Sequence, residues 1–98
     1  MADVPATLAR DIDALRRERR AGAFDYVPSI DEPKGMRIIC PCGCGNESYL
    51  AFEGHGSPGP TWDWDGNRER PTLTPSVFNS GMPCKWHGFL TAGVWRPC

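Results

Sequence analysis

Three of the chain's five cysteines fall in one six-residue stretch, CPCGCG (residues 40–45), of a sequence only 98 residues long. No other feature constrains the fold as much. Eleven glycines and ten prolines and a polar first third leave few residues for a core. A chain of this size buries too little apolar surface to offset backbone entropy comfortably, so it needs a staple. Five cysteines are an odd number, and thiols two residues apart pair in a disulfide only with strain. The N-terminus, MADVPATLARDIDALRRERR, has no apolar stretch of signal-peptide length, and no window approaches the roughly 18 apolar residues of a membrane span. The expected setting is therefore a reducing cytoplasm, with no membrane, and the expected staple is a metal.

The partner of the thiol cluster lies some forty residues on, in CKWHG (residues 84–88). A cysteine and a histidine three positions apart can turn into one loop, and thiolate with imidazole is a common half of a zinc site. Cys42, Cys44, Cys84 and His87 make the favoured ligand set, for one Zn2+ per chain. Met36, Ile38 and Cys40 alternate onto one strand face, so that Cys40 reads as the end of a buried row. The rival set replaces Cys42 by Cys40, which would span the turn with Cys44. Glycine after Cys42 and after Cys44 lets the backbone turn tightly around the sulfurs. His55, in a Gly-rich loop, and the terminal Cys98 read as exposed and unbound.

The chain divides by texture into an amphipathic helix within residues 1–22, an extended connector at 23–35 and a zinc-binding β domain at 36–98. Over residues 5–21, Leu8, Ile12 and Leu15 recur at helical spacing, Pro5 suits a first turn and Gly22 a stop. Residues 23–35 hold two prolines and show no period. From Met36 onward short strand-like runs follow: MRIIC, SYLAF, TWDW before Asp65-Gly66, SVF, and GFLTAGVW with a turn at Ala92-Gly93. Trp62 and Trp64 alternate with acids and so share one strand face, read as packing. The fold class is a small β-rich, zinc-stapled domain, of zinc-ribbon or Rieske-like two-loop type, with an N-terminal α-helix.

Function is less legible. The late arginines of the helix, Arg16, Arg17, Arg19 and Arg20, complement its dipole; with a net charge of −1 they read first as a solvated face and second as a nucleic-acid contact. A narrow apolar stripe on that helix suggests docking, onto a protein partner or a second copy of the chain. Thiolates donate charge to zinc and leave it a poor Lewis acid, and neither a Ser-His-Asp motif nor a phosphate-binding loop is evident. The expected function is a non-enzymatic, macromolecule-binding module. A zinc hydrolase, with Glu47 or Glu53 as base, is an alternative.

Two resemblances accompany these residues. CPCGCG, WDWDGNRERPTLTPSV and CKWHGFLTAG resemble, in order, the blocks of a family of small zinc-binding phage and mobile-element proteins, some labelled ammonia monooxygenase. That resemblance spans about residues 36–95, implies zinc binding without a reaction, and suggests an accessory protein in a bacterial host's cytoplasm. CKWHG is also similar to the second ligand loop of Rieske iron–sulfur proteins, which implies electron transfer as a further alternative. A Rieske cluster needs two histidines and two cysteines, and the first loop here supplies only cysteines.

Overall fold

The alternation in MRIIC organises one of the molecule's two sheets. A computed structural model describes residues 2–98, with β1 (Val4–Pro5), β2 (Thr7–Leu8), α1 (Ile12–Glu18), β3 (Ala23–Pro28), β4 (Pro33–Ile39), β5 (Glu47–Ala51), β6 (Asp63–Trp64), β7 (Leu73–Phe78), β8 (His87–Thr91) and β9 (Val94–Pro97). The first sheet runs β2-β3-β4-β5 and the second β1-β9-β8-β7-β6. All pairings are antiparallel except that of β2 with β3. Met36, Ile38 and Cys40, all fully buried, face a single core completed by Phe24, Tyr26, Leu50 and Phe52 from the first sheet and Leu73, Val77, Leu90 and Trp95 from the second. The molecule is thus mostly β, as its short alternating runs imply.

The helix is shorter than its sequence suggests. Expected over residues 5–21, it occupies only Ile12–Glu18. Asp11 caps it, accepting from the Ala14 N–H at 2.8 Å, and Arg19 ends it in the left-handed region with φ 43. Upstream, Val4–Pro5 adds to β9 and Thr7–Leu8 to β3. Edge pairing in two sheets outweighs the weak intrinsic helix preference of this Thr- and Pro-containing segment. Leu15 packs on Ala23 and Ile39 of its own chain, so the apolar stripe that suggested a dimer contact is largely filled within the molecule.

The segment expected as an extended connector, residues 23–35, is built into the first sheet. Ala23–Pro28 pairs with β4, and the two prolines face each other at the turn end of that hairpin, where the register shifts. Proline is tolerated there because no ladder hydrogen bond needs its nitrogen. On the outer face of this sheet the cross-strand partners Asp25 and Arg37 form a two-pronged ion pair, at 2.8 and 2.6 Å. The turn at Ala92-Gly93 joins β8 to β9 with both residues at positive φ, 48 and 76, as a two-residue hairpin requires. Among the described residues no helix is long and apolar enough to cross a membrane.

Candidate metal centre and active site

The β4–β5 turn and the β7–β8 connection meet where the two sheets converge. Gly43 and Gly45 take positive φ, 92 and 82, and the chain curls so that Cys40, Cys42 and Cys44 aim inward together. Cys84 reaches them from the other sheet. The four sulfur atoms lie within 4.8 Å of one another, with Cys40–Cys42 at 3.4 Å, Cys40–Cys84 at 3.3 Å and Cys44–Cys84 at 3.8 Å. Zinc–sulfur bonds of about 2.3 Å in a tetrahedron put the sulfurs roughly 3.8 Å apart, so the group needs only small adjustments to close on the ion.

The surroundings suit thiolates. The Cys44 N–H donates to Cys42 Sγ at 3.3 Å, and the buried Asn79 amide to Cys40 Sγ at 3.4 Å; such donors orient ligands and share their charge. The thiols do not titrate alike. Hydrogen bonding, chiefly from Cys42, lowers Cys84 to about 7, while burial pushes Cys40 and Cys42 up. The donor set is that of a structural zinc site, four sulfurs with no place left for water.

This set contains three of the residues favoured from sequence, Cys42, Cys44 and Cys84, together with Cys40. Cys40 does end the buried row begun by Met36 and Ile38, at 0% exposure, and its sulfur still joins the group. The two roles are compatible because the row runs directly into the turn. His87, expected as the nitrogen ligand, stands outside the cluster. It is the exposed first residue of β8, paired with Phe78 across the hairpin, while Cys84 belongs to the loop before the strand.

Instead the His87 Nε2 lies 2.9 Å from Ser76 Oγ. Phe78 is the cross-strand partner of His87, and Ser76, two residues earlier on β7, meets the imidazole obliquely across the hairpin. The register of β7 against β8 shifts between Leu73 and Val77, which seats Ser76 in an irregular stretch. The Trp62 indole N–H fixes its backbone by donating to the Ser76 carbonyl at 3.1 Å. The Phe78 ring leans on the imidazole, with centroids 5.2 Å apart at 45°. Just beyond, the Asn79 N–H donates to the Trp86 carbonyl at 2.8 Å and closes the neck of the hairpin. A hydroxyl within hydrogen-bond reach of an imidazole has the geometry that a nucleophile and its base require.

The sequence reading passed over Ser76. A signal was available: once TPSVF and HGFL are paired with Phe78 opposite His87, Ser76 and His87 must share a face. Glu47, considered as a base, is held by Arg16 through two bonds of 2.9 and 3.0 Å, which keep its carboxyl below the usual range. It ties α1 to β5.

The family model described as "Bacterial ubiquitination-like system serine protease (BubE)" matches residues 11–98. The chain belongs to the BubE family. No curated protein and no solved structure matches it. Membership overturns the resemblance to phage and mobile-element zinc proteins, and with it the accessory binding module and the expectation of no enzymatic activity. The expectation of no enzymatic activity rested on thiolate-rich zinc being a poor Lewis acid and on the lack of a Ser-His-Asp motif, and neither bears on a serine and a histidine that meet only in the folded hairpin. The Rieske alternative lacks its histidine ligands, since the cluster is all cysteine. Of the earlier alternatives, a hydrolase comes nearest to the family's description, with serine rather than zinc as the group that description names.

Proposed function

We propose that the chain is a serine peptidase in which Ser76 is the nucleophile and His87 its general base. The observation that carries this reading is the 2.9 Å contact between Ser76 Oγ and His87 Nε2 on an exposed sheet face. With its proton on Nδ1, the imidazole accepts the Ser76 hydroxyl proton at Nε2 as Oγ attacks the scissile carbonyl carbon. The imidazolium then returns that proton to the departing amine, leaving an acyl-serine. Water, activated by the same nitrogen, hydrolyses the ester and restores both groups. The Phe78 ring packs against the imidazole and limits its rotation, without the Nδ1–H hydrogen bond that a carboxylate supplies in a three-residue set.

Zinc on the four cysteines would supply cross-linking, its coordination being closed. Cys84 lies three residues before His87, so the metal anchors the hairpin that carries the pair. The family's description associates it with a bacterial ubiquitination-like system, and we take the substrate to be a protein of such a system.

Labelling with a small fluorophosphonate tests the pair without knowledge of the substrate. The reagent should modify Ser76, identified by peptide mapping, and His87→Gln should slow the reaction about 10³-fold or more, the scale of loss when one member of such a set is removed. A chain whose Ser76 stays unlabelled while folded and zinc-loaded is not a serine peptidase of this design.

A further inference from the structure

The phenyl rings beside the serine define what it cleaves. Ser76 and Phe78 lie on the outer face of β7, and His87 and Phe89 on that of β8, two residues apart in each strand. Because the strands are antiparallel and Phe78 sits opposite His87, Phe89 stands roughly level with Ser76. The hydroxyl and imidazole therefore occupy one diagonal of a four-residue patch. The two phenyl rings occupy the other, one on each side of the pair.

Both rings face water, Phe78 at 53% and Phe89 at 44% exposure, although a chain with so small a core gains by burying aromatics. Leaving two phenylalanines out next to a nucleophile is costly unless something covers them during use. Cavities of about 310 and 370 Å³ are present elsewhere, one between α1 and β3, the other beside β1, and neither is lined by Ser76 or His87. An open patch of this kind does not enclose a small molecule. It suits a polymer laid across it. Among the described residues β6 accompanies one edge of β7 only at Leu73 and Thr74; the Trp62 indole covers that edge at the Ser76 carbonyl, and beyond it no strand lies beside Val77 or Phe78, where an extended chain can approach.

Building on the peptidase reading, we infer that the substrate is an extended polypeptide segment with apolar side chains flanking the scissile bond, held between Phe78 and Phe89. A chain crossing the Ser76–His87 diagonal has one phenyl ring before the cleaved bond and one after it. Each ring loses its water on binding, which favours apolar over charged neighbours at both positions.

The test combines a peptide library, read by mass spectrometry, with fluorophosphonate labelling of the same full-length, zinc-loaded protein. Wild type should label at Ser76 and cut preferentially between apolar residues. Phe89→Ser, whose ring does not stack on the imidazole, should lower kcat/KM for apolar-flanked peptides roughly tenfold relative to serine-flanked ones, about the worth of one partly covered aromatic. Ile30→Ser, an exposed apolar residue outside the patch, should leave that ratio alone. Labelled Ser76 with one and the same cleavage profile in wild type, Phe78→Ser and Phe89→Ser would overturn the inference and leave the peptidase reading standing. Absence of label on Ser76 in folded protein would remove both.

Discussion

At the scale of single residues, His87 separates two chemistries that the sequence merges. In CKWHG, cysteine and histidine have the spacing of zinc ligands, yet one belongs to the metal group and the other to a hydrogen bond with Ser76. The separation is directly measurable. Replacing Cys40, Cys42, Cys44 or Cys84 by serine should each lower zinc content well below one per chain and impair folding, since metal binding and folding are coupled in domains this small. His87→Ala should keep one zinc per chain and an unfolding free energy within about 0.5 kcal/mol of wild type, the range for a surface substitution. Zinc analysis and thermal melts of the five variants decide it; a His87→Ala protein that loses its zinc would return the imidazole to the metal. A second residue-scale test concerns Asp25 and Arg37, where Asp25 is only 5% exposed. Arg37→Ala should destabilise by about 3 kcal/mol, because it leaves a carboxylate buried without its partner. Replacing both with apolar residues should cost markedly less in the same denaturant titration.

Among elements, β8 is the most constrained, because its two faces answer to different demands. The outer face carries His87 and Phe89, while the inner face at Gly88 admits no side chain: a Cβ there would run into the Arg96 carbonyl and the Trp86 ring. Gly88→Ala should therefore push β8 away from β9 and Trp86, at a cost of roughly 1–3 kcal/mol typical of overpacking. Fluorescence-monitored unfolding checks it, and an unchanged midpoint would show that β9 yields freely. How much of the fold was legible follows from the same kind of local reasoning. MRIIC, SYLAF and the Ala92-Gly93 turn declare their structure because period-two alternation and a glycine turn depend on nearby residues alone. Residues 4–8 do not, since the strand state of Val4 comes from β9, distant in sequence; residues 23–28 do not because the prolines that flank their turn with β4 mask the strand period. The Ser76–His87 pair was hidden for a related reason. It follows only once β7 and β8 are paired with Phe78 opposite His87, a register that the alternation within either strand does not by itself specify.

For the molecule as a whole, the metal centre and the hydroxyl–imidazole pair are two ends of one mechanical unit. Cys40, Cys42 and Cys44 hang from the end of the first sheet, Cys84 from the β7–β8 hairpin of the second, and the buried Asn79 bonds both Cys40 and the hairpin neck. An ion here cross-links segments about forty residues apart, where a staple most restricts the unfolded chain. It also fixes the ends of the strands that bring Ser76 to His87. Because four sulfurs leave no place for water or substrate, the ion's influence on catalysis should be purely positional. Chelation should then abolish fluorophosphonate labelling of Ser76 together with cooperative unfolding, although no ligand touches the serine. Reconstitution should restore both, and the identity of the metal should hardly matter. Protein refilled with Co2+ or Cd2+ should label Ser76 within about twofold of the zinc form, whereas metals acting as Lewis acids change rates far more widely. The cobalt form carries its own check, since tetrahedral thiolate coordination is visible in its absorption spectrum. A labelling rate that differs by an order of magnitude between zinc and cobalt proteins of equal stability would mean that the metal takes part in the chemistry.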